Sequence, residues 1–145
     1  MASDVIHVHQ QHPERTLEVA QVRALVTRMA AAEGIPIGEV SIVLADHPTV
    51  LELNRRFLNH DYVTDVLAFP LSEDGDEALT GEVYVDLDTA AERHAEFEAS
   101  FTEEALRYVV HGVLHLMGYT DTTEKGRHAM RTKEDDYLRQ ARLAG

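Results

Sequence analysis

His111 and His115 stand four residues apart in a stretch whose apolar residues Leu106, Val109, Val110, Val113 and Met117 recur at helical spacing. On a helix turning about 100° per residue those apolar positions share one broad face, and the two histidines fall roughly opposite it, beside Arg107 and Tyr108. Imidazoles at i and i+4 lie one above the other, close enough to bind one metal ion. Gly118 then ends the helix and turns the chain, which brings Asp121 within reach as a third donor. Two histidines and one carboxylate leave coordination positions open to water or substrate, the arrangement of a catalytic zinc centre rather than a closed structural one. The competing readings are structural. The histidine pair could be incidental, and Asp121 could be a helix cap, since Asp121-Thr122-Thr123-Glu124 also reads as a helix start. His128 competes with Asp121 for the third position. A helical zinc protease carries its general-base glutamate directly after the first histidine; this chain has Gly112 there, which argues against a peptidase.

The rest of the composition narrows the chemistry. The chain has 145 residues, 44% of them hydrophobic, enough for one ordinary core and short for two, so residues 1–145 are expected to form a single domain. Cysteine is absent, which excludes disulfides, thiolate nucleophiles and cysteine-based zinc sites, while nine histidines keep a His/Asp/Glu site open. Thirteen basic against 26 acidic residues give a formal net charge of −13, a surface that repels nucleic acid at long range and disfavours nonspecific RNA coating. Only Lys125 and Lys133 are lysines. An acidic, lysine-poor surface tolerates concentrated salt, where screening removes self-repulsion, though it equally suits an ordinary acidic protein. No apolar run reaches the ~18 residues of a membrane span, and Met1-Ala2-Ser3-Asp4-Val5-Ile6-His7 lacks the regions of a signal peptide; the expectation is a cytoplasmic protein with no membrane partner.

The elements that must position these residues follow from periodicity. Val5 to His9 alternates like a strand, and Leu17 to Ala32 is helical until Gly34. Val40 to Ala45 is a second strand, followed by a helix with Pro48 in its first turn and Thr49-Val50-Leu51-Glu52 as a capping box. Val66 to Phe69 is a third strand ended by Pro70, joined through the acidic turn of residues 72–80 to Gly81-Glu82-Val83-Tyr84-Val85-Asp86-Leu87 in a hairpin. Helices over Thr89 to about Glu98, Thr102 to Met117 with a Ser100-x-x-Glu103 cap, and about Thr122 to Ala141 complete the order β-α-β-α-β-β-α-α-α. That order implies an α+β layered domain: a small mixed four-stranded sheet with about five helices, and the metal site at the end of the His-x-x-x-His helix. Strand order is not readable from it. No internal repeat or linker is evident.

His111-Gly112-Val113-Leu114-His115-Leu116-Met117-Gly118-Tyr119-Thr120-Asp121 resembles the signature His-Gly-x-Leu-His-Leu-x-Gly-Tyr-Asp-His of the YbeY family, metal-dependent endoribonucleases of ribosomal RNA maturation. Leu53-Asn54-Arg55-Arg56-Phe57-Leu58-Asn59-His60-Asp61-Tyr62-Val63-Thr64-Asp65-Val66-Leu67-Ala68-Phe69-Pro70 is similar to a second family segment, and Gly81-Glu82-Val83 to its Gly-Asp-Ile strand. The resemblance spans nearly the whole chain. It departs at two positions. The third histidine ligand of the family aligns with Asp121, which keeps a donor and adds negative charge; a family arginine aligns with Leu58, removing a cation that could hold phosphate.

The resemblance implies a hydrolase specific for single-stranded RNA, active in maturation of the 16S ribosomal RNA 3′ end and in ribosome quality control, with the 30S subunit and ribosomal proteins as partners and no DNA. One zinc ion per chain would sit on His111, His115 and Asp121, the histidines counted as catalytic. Arg55, Arg56, His60, Thr64 and Asp65 are candidate RNA contacts, against the structural readings of a solvated helix face for the arginines, an ordinary loop residue for His60, and a turn for Thr64 and Asp65. The last helix carries Lys125, Arg127, Arg131, Lys133, Arg139 and Arg142, which could touch phosphates, although the interleaved Glu134, Asp135 and Asp136 favour a charge-paired exterior. Tyr119, His60 or water could protonate the leaving oxygen. Attack by water and attack by the RNA 2′-hydroxyl differ in their product ends, only the latter leaving a cyclic phosphate. Two rival functions remain open: a non-enzymatic ribosome-assembly factor whose metal staples the last two helices, and another zinc hydrolase such as a peptidase.

Overall fold

The computed structural model describes residues 5–58, 64–71 and 77–144. Strands β1 (Ile6–Gln10), β2 (Ile37–Ala45), β3 (Val66–Pro70) and β4 (Leu79–Asp86) form one sheet in the order β1-β2-β4-β3. β1 and β4 run parallel to β2 and β3 runs antiparallel to β4, so the sheet is mixed, as the element order implies. The hairpin pairing is present, with Val66 opposite Val85 and Phe69 opposite Glu82; its tip, residues 72–76, lies outside the described residues.

Alternation along the strands divides the molecule into layers. Val40, Ile42 and Leu44 of β2 and Val83 and Val85 of β4 belong to the larger core, which they build with α1 (Val19–Glu33), α4 (Phe101–Leu116) and α5 (Glu124–Ala144). The intervening Val43, Ala45 and Tyr84, with Leu67 and Phe69 of β3, join Val50 and Leu53 of α2 (His47–Leu58) in a smaller cluster on the other face. α3 (Leu87–Arg93) and a 3-10 turn (His94–Phe97) lead into α4. The α+β layered architecture with four strands and five helices matches the expectation.

Two caps differ from the sequence reading. Thr49 does not cap α2: its N–H donates to the Asp46 side chain at 3.0 Å, so the helix starts earlier, at His47. α3 likewise begins at Leu87 because Asp86 accepts from the Thr89 N–H at 3.0 Å. The Ser100 cap on α4 is present, accepting from the Glu103 N–H at 3.1 Å. An early carboxylate or hydroxyl wins these positions because it satisfies an N–H the helix leaves unpaired.

α4 carries the site and is the most deeply set helix. Its Val109, Val110, Val113 and Leu114 are fully buried, each contributing about 1.5–3 kcal/mol of apolar burial. Gly112 makes this possible. A Cβ there would meet Val83 Cγ1 at 2.4 Å and Val66 Cγ2 at 2.9 Å, so the helix lies closer to the sheet than any side chain at 112 would allow. The residue after the first histidine therefore faces β3 and β4, and a protease-type glutamate would point into the core. Gly112→Ala should lower stability by about 1–3 kcal/mol through overpacking, although alanine is the better helix former by about 1 kcal/mol. Urea unfolding of the two chains measures the sign.

Candidate metal centre

The C-terminal turn of α4 creates the site. Gly118 takes φ +101°, a backbone region that disfavours side chains, and closes a Schellman motif: its N–H donates to the His115 carbonyl at 3.1 Å and the Tyr119 N–H to that of Leu114 at 3.0 Å. The reversal swings Tyr119 to Asp121 back over the last turn. Asp121 Oδ2 then lies 3.3 Å from His111 Nε2 and 3.5 Å from His115 Nε2, while the two Nε2 atoms are 3.0 Å apart. A tetrahedral zinc site with bonds of about 2.0–2.1 Å spaces its donors roughly 3.3 Å apart, so the three atoms fit one ion.

The tautomers are set by the outer partners of each ring. His115 Nδ1 lies 3.0 Å from the Tyr119 carbonyl, which only accepts, so this nitrogen carries the proton and Nε2 holds a lone pair. His111 Nδ1 lies 2.8 Å from Glu134 Oε2, with the same consequence. Two lone pairs and a carboxylate oxygen thus face one another, an electron-rich concavity that suits a cation. Burial pushes the His111 imidazole down, but the bonded Glu134, with Asp65 and Asp121 nearby, outweighs it and holds the ring above its ordinary value.

Glu134, only 7% exposed, comes from α5 and also receives Arg107 Nη1 at 3.1 Å; Arg107 Nη2 reaches Asp135 at 2.8 Å. Sequence reasoning put Glu134 on a charge-paired exterior, whereas it is buried beside His111, 23 residues away, because no local spacing links the two helices. Glu33 escaped it for the same reason. Its carboxylate, on the last turn of α1, accepts from Tyr119 at 2.6 Å, Lys133 at 2.8 Å and Tyr137 at 2.5 Å, tying α1, α5 and the post-α4 turn together. Burial pushes this carboxyl up, but the three hydrogen bonds and the Lys133 charge outweigh it and hold the pKa at about 2. A depressed folded-state pKa contributes stability above the unfolded value near 4.5 and loses it as pH falls toward 2. Wild type should lose about 3 kcal/mol relative to Glu33→Gln across that window, read as denaturant midpoints at pH 5 and pH 2.

The competing residues occupy other positions in the fold. Thr123, not Asp121, caps α5, accepting from the Gly126 N–H at 2.9 Å, and His128 is exposed on α5 outside the donor set. Tyr119 cannot serve as the leaving-group acid, since its hydroxyl is turned away to Glu33. Tyr108 is buried rather than on the polar side of α4, and burial and the neighbouring Glu104 carboxylate push its hydroxyl far up. Asp65 lines a cleft of about 420 Å³ that opens on His111 and Asp121, and Thr64 lines an adjoining hollow. Arg55, Arg56 and Leu58 sit in the exposed last turn of α2, outside both cavities. His60 lies outside the described residues. On α5 the charge-paired exterior holds for Lys133 with Glu33, Arg139 with Asp136 and Arg142 with Glu103.

His47, Asp86 and Asp88 also bring a nitrogen and two oxygens together, but other partners engage them. His47 Nδ1 contacts Asp86 at 2.7 Å and Nε2 contacts Glu92 at 3.0 Å, while Asp88 holds His12 and Arg15 at 2.8 Å. This network fastens the starts of α2 and α3 to the ends of β2 and β4.

A mixed α+β sheet carrying a solvent-open set of two imidazoles and one carboxylate is the architecture of a mononuclear metal-dependent hydrolase. A family model described as Endoribonuclease YbeY matches residues 5–142. A Salinibacter ruber protein named Endoribonuclease YbeY is 49% identical over 140 residues, covering 92% of this chain and 89% of its own length. A Chlorobaculum tepidum protein of the same name is 36% identical over 125 residues, covering 86% and 90%. The solution structure of TM1509 from Thermotoga maritima aligns with TM-score 0.63 and 29% identity, covering 94% of this chain and 88% of that one. The chain belongs to the Endoribonuclease YbeY family. No helix among the described residues is long and apolar enough to cross a membrane.

Proposed function

We propose that the chain is a cytoplasmic, single-strand-specific endoribonuclease that works in maturation of the 16S ribosomal RNA 3′ end and in ribosome quality control, with the 30S subunit and its proteins as partners. Residues 1–145 act as one such domain. The observation that carries this reading is the convergence of His111 Nε2, His115 Nε2 and Asp121 Oδ2 within 3.5 Å at the mouth of an arginine-bearing cleft, in a chain of this family. These three residues would hold one zinc ion, their mixed nitrogen and oxygen donors suiting that borderline metal. Zinc when bound supplies Lewis acidity and a nucleophile at neutral pH.

The protein's own residues do the rest. Glu134 and the Tyr119 carbonyl keep both Nδ1 atoms protonated, so both Nε2 lone pairs point at one spot. Asp121 adds one negative charge to two neutral rings, leaving a loaded site at +1, attractive to a phosphodiester. Asp65 and Thr64 line the walls along which the strand would pass.

The test is cleavage of single-stranded fragments from the 16S 3′ region by purified protein, with zinc and with chelator, across salt concentrations. Cleavage lost on chelation, leaving 5′-phosphate and 3′-hydroxyl ends, is the expected result. Cyclic-phosphate ends would replace water by the 2′-hydroxyl as the attacking group. A zinc-binding protein that cuts no RNA would favour the assembly factor.

A further inference from the structure

We infer that the cleft beside the metal triad is a single-strand clamp in which Arg127 and Arg131 take RNA phosphates and Phe97 stacks one base. This rests on the endoribonuclease reading and assigns the contacts that seat the substrate. The chain as a whole repels RNA, with 26 acidic against 13 basic residues, yet four of its arginines, Arg93, Arg107, Arg127 and Arg131, line this one cavity together with His111 and Asp121. The four carboxylates in the same wall are mostly committed. Asp121 belongs to the triad, Glu134 is shared by His111 and Arg107, and Glu104 is buried; Asp65 is left.

The arginines differ in what remains of their charge. Arg107 is occupied by Glu134 and Asp135, and Arg93 makes a long contact of 3.7 Å with Glu96. Arg127 spends one nitrogen on the Asp121 backbone carbonyl at 3.2 Å, a neutral acceptor that cancels none of its charge. Arg131 has no hydrogen-bond or ion-pair partner among the described residues. Both are exposed and stand four residues apart on α5, so their guanidinium groups share one helix face. They bring two uncompensated cations to the cleft wall from α5.

Phe97 supplies the second kind of contact. It ends the 3-10 turn 53% exposed, lines the same cleft, and carries the Arg93 guanidinium 5.4 Å from its ring centroid. An exposed aromatic ring with one cation beside it suits stacking on an unpaired base, which every base offers and a duplex withholds. A cavity of about 420 Å³ falls in the size range of small-ligand pockets.

The experiment measures kcat and KM on a fluorescent single-stranded ribosomal RNA oligomer with zinc-loaded wild type, Arg127→Gln/Arg131→Gln and Phe97→Leu, at several salt concentrations, with zinc affinity determined alongside. The double variant should raise KM about tenfold or more at low salt and flatten the slope of log(kcat/KM) against log[salt] by about 1.4, or about 0.7 per lost phosphate contact. Zinc affinity, measured alongside, separates a displaced Asp121, whose carbonyl accepts from Arg127, from lost phosphate contacts. Arg127→Lys/Arg131→Lys keeps the charges and should restore the slope, which separates phosphate binding from a folding defect. Phe97→Leu should raise KM roughly 5- to 150-fold with an unchanged salt slope. An unaltered salt slope in the glutamine variant, or an unaltered KM in Phe97→Leu, overturns the clamp while the nuclease stands. A wild type that cuts no RNA overturns both.

Discussion

His115→Ala should abolish metal-dependent RNA cleavage and weaken zinc binding about a thousandfold, with little loss of fold. Zinc-site binding energies of about 10–16 kcal/mol, divided over a small ligand set, put one protein ligand at about 3–5 kcal/mol, or roughly three decades of affinity. The fold is spared because His115 is only partly buried and its ring serves the open side of α4, while Val109, Val110, Val113 and Leu114 hold the helix to the sheet. Competition with a chromophoric chelator reads the affinity, and thermal unfolding without zinc reads the fold. A variant that binds zinc as tightly as wild type would remove His115 from the site.

Glu134→Gln should lower zinc affinity about 10- to 100-fold, the usual cost of losing an outer partner of a metal-bound imidazole. Glutamine keeps one oxygen, which can accept from His111 Nδ1, and Arg107 retains Asp135, so part of the α4–α5 contact persists while the charge that makes the imidazole a better donor is lost. Glu134→Ala should add a stability loss of about 1–3 kcal/mol, because Arg107 keeps only Asp135 and the His111 N–H loses its acceptor. Chelator competition on the glutamine variant and urea unfolding of both separate the two effects. Equal zinc affinity in Glu134→Gln and wild type would make Glu134 a packing residue only.

His115 is written in one helical repeat with His111, Gly118 and Asp121, so periodicity and a turn residue suffice to bring it to mind. Glu134 is not, because its partner sits on another helix and the intervening 23 residues impose no spacing. Glu33 is more remote still, 100 residues from Lys133 and 104 from Tyr137. Gly112 shows a third case. Its identity argued against a protease from sequence, but the reason for glycine, the close approach of Val83 and Val66, needed the sheet.

Local order is therefore what the chain declares by itself: the alternation of β2, β3 and β4, the amphipathic run of α4, the Ser100 cap, the turn at Gly118 and the spacing of the donor triad all depend on residues within about three turns of one another. The order β1-β2-β4-β3, the diversion of Tyr119 to Glu33 and the gathering of four arginines into one cleft were decided by tertiary packing. Each depends on which distant groups meet once the apolar faces close on one another. Hydrophobic burial is nondirectional and carries no address along the chain, so those meetings are set only in the assembled core.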